Sequence, residues 1–388
     1  LFYTTGGAII NRKHEIMLNG LLVPVPSKDQ DNSDHQSTLI IRQPNSDSLY
    51  YVFTQNQVSG NYSEYHIVDL SNDDGLGSVI SKDNRFPNAE YAFDGGITAT
   101  RHRNRKAFWI LYIDKRKKHQ FCSHILDENG LDTIPVTSDV HYDANEGGMK
   151  ISLDGKKIVQ FENYPEEYLC FFKFDNLTGK VNNQACWDIS KFGDPTGVEF
   201  SPNSKYLYVA FLAKSLDSCD IYQMEIEKES FKEIEESMVR IYHKDLDRTS
   251  SINRIGYLQM GPDKKIYASP MSRDFLLQIK NPDEKATEDF VIDTIDLEGR
   301  LARYSLPFTM PGLYGKDVSC GSDPVCEGDD LQLLSSVAVY LTDPSFSWTG
   351  PIGFTSNEAR PVIENAGSQH SGKYFLYVNV NDSLYKDS

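Results

Sequence analysis

The chain lacks the motifs that most often signal chemistry. Its 388 residues contain no Gly-x-Ser-x-Gly elbow, no His-Glu-x-x-His pair and no phosphate loop, which sets aside the commonest hydrolase, metalloprotease and nucleotide-binding readings. No run approaches the ~18 apolar residues of a membrane-spanning helix, and no signal peptide opens the chain. It begins on Leu1-Phe2-Tyr3-Thr4-Thr5, the middle of a strand by its texture, so a fragment or mature piece of something longer is expected. Positive charge is also short: 39 basic residues stand against 56 acidic ones, for a net charge of −17. Such a surface repels phosphate backbones, and no basic stripe with interleaved aromatics offsets it, so nucleic acid is not an expected partner. The cluster Lys115-Arg116-Lys117-Lys118-His119 is the local exception and reads as a polar hairpin tip.

Cysteine is sparse. Cys122, Cys170, Cys186, Cys219, Cys320 and Cys326 form neither a disulfide scaffold nor a CxxC metal knuckle. Cys320 and Cys326 are near enough to close a small loop, and Cys170 and Cys186 can pair across adjacent strands; either bridge would fit an oxidising compartment. Persuasive helical periodicity is scarce as well. The one candidate, Glu225 to Arg240, carries charges that suit a long exposed hairpin equally well.

Aromatics are abundant, with 22 Tyr and 20 Phe. Many sit in short strand-length runs such as Leu49-Tyr50-Tyr51-Val52-Phe53-Thr54, Ala107-Phe108-Trp109-Ile110-Leu111-Tyr112 and Tyr206-Leu207-Tyr208-Val209-Ala210-Phe211. One pattern repeats: two apolar residues at period two, then Ser or Gly, then a turn with Asp or Asn and Lys, then another strand. It runs from Gly148 to Ile158 around Ser152-Leu153-Asp154-Gly155, from Gly197 to Leu207 around Ser201-Pro202-Asn203-Ser204, and from Leu258 to Ile266 around Gly261-Pro262-Asp263. Looser copies occupy Gly96 to Phe108 and Leu39 to Leu49. The strands that follow begin near residues 49, 107, 157, 206 and 266, and Leu1 starts a similar strand 48 residues before the first. That spacing suits four-stranded blades, each needing neighbours to bury both faces. The expectation is an all-β chain: a six- or seven-bladed β-propeller over 1–315, its first blade incomplete at the N-terminus, with Tyr304-Ser305-Leu306-Pro307-Phe308 as the closing strand. From Cys320 the texture changes to Leu331-Gln332-Leu333-Leu334, Ser347-Trp348-Thr349 and Ser371-Gly372-Lys373-Tyr374-Phe375-Leu376. A central tryptophan and a tyrosine-corner sequence predict a small immunoglobulin-like or PKD-like β-sandwich over 319–386. An apolar pair, Leu333 and Leu376, stands where its disulfide would be, and Trp348 is expected to be buried against it.

The residues Leu1-Phe2-Tyr3-Thr4-Thr5-Gly6-Gly7, Asn11-Arg12-Lys13-His14, Tyr65-His66-Ile67-Val68-Asp69, Gly75-Leu76-Gly77 and Phe200-Ser201-Pro202-Asn203-Ser204-Lys205, with Trp348-Thr349-Gly350-Pro351, carry a resemblance. The chain resembles secreted or surface propeller proteins of Bacteroidota that bear PKD-like or immunoglobulin-like modules and are associated with type IX secretion and gliding motility. The resemblance implies export, an outer-membrane-associated surface location and a protein or glycan partner. No sorting domain follows within these residues.

Ser152-Leu153-Asp154-Gly155 resembles a sialidase box, but lysines follow and the tryptophan is missing. His119, Cys122 and His124 do not converge on a strand, since His119 points away from the other two. The loops Asp69-Leu70-Ser71-Asn72-Asp73-Asp74-Gly75 and Asp127-Glu128-Asn129-Gly130 offer oxygen ligands for calcium without EF-hand spacing. No cofactor is otherwise expected. Among 56 acids nothing singles out a catalytic pair, and Tyr164-Pro165-Glu166-Glu167-Tyr168 reads as a solvated hairpin tip. The tripeptide Asp-Ser/Thr-aliphatic places O-glycosylation candidates at Ser48, Thr133, Thr294 and Ser383. These observations predict a non-catalytic binding or assembly module with no catalytic or metal residues. The alternative is a carbohydrate-active enzyme, lyase or hydrolase, working in the central funnel, which converging charged side chains there would favour.

Overall fold

The computed structural model describes residues 2–5, 8–22, 38–56, 62–86, 94–104, 106–114, 120–139, 148–162, 167–249, 252–287, 292–302, 306, 318–322, 325–337, 344–380 and 383–388. The chain divides into two compact units, Leu1–Leu313 and Tyr314–Ser388. The fold is the expected one, a β-propeller followed by a small β-sandwich.

Five antiparallel sheets make up the described ring. The first blade runs through Thr38–Arg42, Leu49–Asn56, Tyr62–Asp69 and Ser78–Arg85. The second comprises Asp94–Arg101, Phe108–Ile113, Gln120–Asp127 and Val136–Asp139, with a short extra strand Gly130–Leu131. The third is Met149–Ile151, Lys157–Glu162, Tyr168–Asp175 and Lys180–Asp188; the fourth is Asp194–Phe200, Tyr206–Leu212, Ser218–Glu225 and Val239–Asp245; the fifth is Ile255–Met260, Ile266–Pro270, Phe275–Ile279 and Asp293–Asp296. An N-terminal three-stranded sheet, Tyr3–Thr5, Ala8–Ile10 and Ile16–Leu21, joins the outer strand of the first blade through a parallel bridge from Leu18 to Ser78. The first strand of each blade lies against the first strand of the next. The proposed closing strand at Tyr304–Phe308 lies outside the described residues except for Leu306.

The repeated turn has a physical cause. In the third blade the Ser152 hydroxyl donates to Asp154 Oδ1 at 2.6 Å and accepts the Lys157 amide at 2.9 Å. In the fourth, Ser201 donates to Asn203 Oδ1 at 2.7 Å and accepts the Tyr206 amide at 2.9 Å. The residue after the Asp or Asn takes left-handed backbone angles in all three clear copies, with φ of 66° at Gly155, 59° at Ser204 and 64° at Lys264. Side-chain oxygens thus serve the turn amides, and one residue per turn absorbs the reversal. Aromatic and branched side chains then fill the spaces between blades. Trp109, Leu111, Ile113 and Phe121 of the second blade pack on Ile158, Cys170 and Phe172 of the third, and Val159, Phe161 and Leu169 of the third pack on Phe200, Leu207 and Val209 of the fourth.

Three details refine the sequence reading. Within Glu225 to Arg240 a short helix forms, Phe231–Glu236, capped reciprocally by Ser230 and Glu233, where the charges also suited a hairpin. Cys170 and Cys186 are disulfide-bonded, whereas the Cys320–Cys326 loop is not closed by a disulfide. The basic cluster at 115–119 lies outside the described residues.

In the second unit Ser345–Thr349 pairs with Phe375–Val380, which pairs in turn with Ser383–Asp387. Trp348, Leu333 and Leu376 are all at most 2% exposed and share one core. The indole Nε1 donates to the Glu358 carbonyl at 3.0 Å. The Tyr374 hydroxyl donates to the His370 carbonyl at 2.8 Å, the back-bond of a tyrosine corner.

Candidate functional site

Strand direction fixes two ends of the ring. The first strand of a blade ends, and its second begins, at the repeated turn; this is the turn end. The start of the first strand, the end of the second and the start of the third lie at the opposite, loop end. Charged side chains converge at both.

At the turn end, Lys150, Glu199 and Gln259 occupy the same repeat position, two residues before Ser152, Ser201 and Gly261. Lys150 Nζ donates to Glu199 Oε2 at 3.0 Å and to Gln259 Oε1 at 2.7 Å, so three successive blades meet on one ammonium. Glu199 also accepts the amides of Phe200 at 3.0 Å and Met260 at 2.9 Å. The Gln259 amide nitrogen donates to the Met260 carbonyl at 3.0 Å. Both charged side chains are only 5% exposed. Burial pulls the Lys150 ammonium below its ordinary pKa, with the Glu199 carboxylate acting against it. A buried ion pair with its hydrogen bonds so fully used is a cross-link between blades.

At the loop end, Asp194 opens the first strand of the fourth blade, Lys214 follows its second strand, and Glu167 precedes the third strand of the third blade. Lys214 Nζ donates to Glu167 Oε2 at 2.9 Å, with 55% of the lysine side chain exposed and only 9% of the glutamate. Asp194 is half-buried. Its carboxyl is held above the ordinary range first by burial, then by the Glu167 charge and by a hydrogen bond to Glu167, with Lys214 opposing. Lys214 in turn is held above its usual value chiefly by its hydrogen bond to Glu167. Asp188 also faces Lys214, and hydrogen bonds from Ser190 hold its carboxyl below the usual range. Local structure fixes this arrangement. The Ile189 amide donates to the Glu167 carbonyl, and the Phe192 amide to the Ile189 carbonyl, both at 2.9 Å. Gly193 then sits at φ 110° with its Cα so near Leu212 that a Cβ would come within 2.3 Å of the Leu212 carbonyl oxygen. Only glycine lets the chain pass there into Asp194.

The chemistry available follows from the divergence of these carboxyls. The Asp194 pKa is raised and the Asp188 pKa is lowered, a divergence of the kind that separates acid from base roles among carboxyls. The reading of Tyr164–Tyr168 as a solvated tip is corrected here. Residues 163–166 lie outside the described residues, and Glu167 is 8% exposed because the start of its strand is tucked against the fourth blade, where Lys214 neutralises it.

The other sequence candidates fall elsewhere. His119 lies outside the described residues. Cys122 and His124 share a strand of the second blade, where His124 bonds Asp132 Oδ1 at 2.9 Å and stacks on Tyr112. Asp69 accepts from the amide and hydroxyl of Ser71 at 2.9 and 2.7 Å, and Asp127 accepts from the Asn129 amide at 2.7 Å, so both carboxylates are engaged by their own turns. Among the described residues, Glu64, His66 and Asp83 are the group whose ligand atoms approach one another, within 4.8 Å. There the Asp83 amide donates to His66 Nδ1 at 3.1 Å, and Nε2 lies 2.9 Å from the Thr54 hydroxyl, so both ring nitrogens are already engaged. Of the O-glycosylation candidates, Thr133 and Thr294 are exposed and Ser48 is half-buried. Ser383 opens the last strand of the sandwich.

No protein-family model and no curated protein matches this chain. Solved structures of similar fold include virginiamycin B lyase from Staphylococcus aureus, 11% identical over 76% of this chain and 79% of that one, with a TM-score of 0.41. A proposed 6-phosphogluconolactonase from Bacteroides uniformis is 12% identical over 94% and 95%, with a TM-score of 0.42. A glucose dehydrogenase is 15% identical over 70% and 87%, with a TM-score of 0.37. The likeness is one of fold. The expectation of a non-catalytic module, with no enzymatic role, is corrected as far as these structures reach: the solved propellers of similar fold are mostly enzymes, and a likeness at this level shows the fold alone.

Proposed function

We propose that the chain is a carbohydrate-active enzyme, a hydrolase that works at the loop end of its propeller with Asp194 as general acid. The observation that carries this is the Glu167–Lys214 ion pair at the partly exposed loop end, beside an Asp194 carboxyl whose pKa is raised first by burial and then by the Glu167 charge. A carboxylic acid with a raised pKa is suited to protonate a leaving oxygen and to recover the proton from water. Asp188, ionised nearby, is the carboxylate available to activate that water or to stabilise positive charge on the sugar ring. Hydrolysis is favoured over elimination by electrostatics. Lyase substrates carry uronate charges, and a chain of net charge −17 with one lysine among three carboxyls disfavours a polyanion. Neutral or amine-bearing glycans are the substrate class.

The proposed setting is extracellular, at a bacterial surface, as the resemblance implies. The Cys170–Cys186 bridge supports it, because disulfides persist in oxidising compartments. The test is release of reducing ends from xylan, mannan, β-glucan and chitosan, with alginate and pectate alongside, between pH 4 and 8. Turnover of a neutral or amine-bearing glycan that Asp194→Asn abolishes is the expected result. Absence of turnover across the panel, or turnover indifferent to Asp194→Asn, rejects the proposal.

A further inference from the structure

We infer that Arg254 is a substrate-binding residue of the loop-end site, its guanidinium forking onto two adjacent hydroxyls of a neutral sugar; this rests on the reading of that site as a hydrolase centre. The placement comes from the repeat. The Ser201 and Gly261 amides donate to the Tyr206 and Lys265 carbonyls, which fixes equivalent turns in the fourth and fifth blades. Six residues on from each lie Leu212 and Met271. Leu212 pairs with Asp194, and the Met271 amide donates to the Arg254 carbonyl at 2.9 Å. Asp194 and Arg254 therefore hold one repeat position, at the starts of two successive first strands. Those strands touch just beyond it: a Cβ on Gly197 would lie 2.9 Å from the Gly256 carbonyl oxygen and 3.1 Å from the Tyr257 Cα. As the strands that meet from blade to blade, they line the central channel, so the two residues begin side by side at its loop-end mouth.

Arg254 keeps its donors unspent. Among the described residues its side chain has no hydrogen-bond or ion-pair partner, although Nε is buried. Nearby arginines are used locally: Arg248 pairs with Asp217 at 2.6 Å, Arg240 with Asp220 at 3.5 Å, and Arg273 donates to Asn253. A buried guanidinium nitrogen without an acceptor costs stability, and a chain with 56 acidic residues has carboxylates enough to supply one. Ile255 packs into the core shared with the fourth blade, so strand alternation turns Arg254 away from that core, where it stays half-buried. Its planar fork of donors suits paired oxygens, which carboxylates and adjacent hydroxyls both present. The hydroxyls are favoured because an anion there would add to the charge of Asp194, Glu167 and Asp188 at the same end.

The test is calorimetric titration of the full chain carrying Asp194→Asn, to prevent turnover, with xylohexaose, mannohexaose and cellohexaose, and with trigalacturonate beside them. Arg254→Met and Arg254→Lys are compared in that background. The expected result is binding of at least one neutral oligosaccharide that Arg254→Met weakens about 10–100-fold, the worth of one or two charge-assisted hydrogen bonds. Arg254→Lys should recover only part of it, because an ammonium cannot fork. Unaltered affinity in a folded Arg254→Met protein overturns the inference, as do full rescue by Arg254→Lys, binding confined to trigalacturonate, and binding of none of the probes. Phenylglyoxal labelling of the wild type reads the same residue without a substitution: Arg254 should be modified, and the bound oligosaccharide should protect it. Labelling indifferent to saturating sugar also overturns the inference. Release of reducing ends is scored separately. A protein that binds through Arg254 yet releases none counts against the hydrolase alone, whereas turnover whose KM Arg254→Met leaves unmoved counts against this inference alone.

Discussion

The two ends of the propeller contain nearly the same chemical parts and put them to different use. At the turn end a lysine meets one glutamate and one glutamine, all three buried, with backbone amides taking up the remaining carboxylate capacity. At the loop end a lysine meets a glutamate and two aspartates, but the lysine is largely exposed and the pKa of one carboxyl is raised. Saturated hydrogen bonding makes the first a fastening. Surplus acid capacity beside solvent makes the second a place where protons can move. What separates a structural ion pair from a reactive one is how much of its hydrogen-bonding capacity is left over, not which residues compose it.

The comparison breaks most visibly in activity. Glu167→Gln, measured on whichever glycan the wild type hydrolyses, is expected to lower kcat by about 10²–10⁴-fold, the usual contribution of a positioned acid–base group. The matching change at the other end, Glu199→Gln, should leave kcat within a few-fold. Equal losses at both ends would erase the distinction drawn here.

Stability should show the opposite pattern. Lys150→Met leaves Glu199 charged and buried without its partner and is expected to cost about 3–5 kcal/mol in urea unfolding, with much of that recovered in Lys150→Met/Glu199→Met. A cost near zero for the single change would mean that water reaches the turn end.

A buried group away from both ends sharpens the picture. Burial pushes the His66 imidazole from 6.5 down to about 4. The native protein therefore keeps His66 neutral while the unfolded chain takes up a proton below pH 6.5, so stability falls as pH drops from about 6.5 to 4. The loss amounts to about 3 kcal/mol. His66→Gln should flatten that part of the stability–pH curve, and an unchanged acid limb would place the titration elsewhere.

The smallest effect is expected from Lys214→Met. It removes a cation that opposes the raised Asp194 pKa, so the Asp194 midpoint in a carbon-13 NMR titration should move further up, by less than about one unit. It should also cost some stability, because Glu167 is nearly buried, but less than Lys150→Met, since solvent already screens the exposed lysine. A downward shift would show that Lys214 acts on Asp194 mainly by holding Glu167 in place.

The fold was legible because its turns are chemical. Ser152 with Asp154 and Ser201 with Asn203 hydrogen-bond within a few residues of themselves, so the spacing of those residues in the chain is the structure. The turn-end cluster was legible in the same alignment, though unread: Lys150, Glu199 and Gln259 fall at one repeat position, between residues that pack the core. A polar residue recurring there was the available signal. Glu167, Asp194 and Lys214 left none. They sit in loops and at a strand start of two blades, at unrelated repeat positions, and come together only because the third blade lies against the fourth. Glu167 looked like a hairpin-tip acid because local composition cannot register a neighbour 47 residues away.

The cross-link at Lys150 also has a consequence for the order in which the ring can be assembled. As the chain leaves the ribosome, Lys150 emerges 49 residues before Glu199 and 109 before Gln259. Until the fifth blade arrives, a nascent ring that buried the ammonium would do so with its hydrogen bonds incomplete, at the several-kilocalorie cost of a poorly paired buried charge. The early blades therefore gain little by closing their inner edges alone. Docking waits for a contact of long sequence separation, which is slow to form but makes the final step cooperative. A truncation ending before Ile255 should behave as loosely associated sheets, however well each blade forms its own hydrogen bonds.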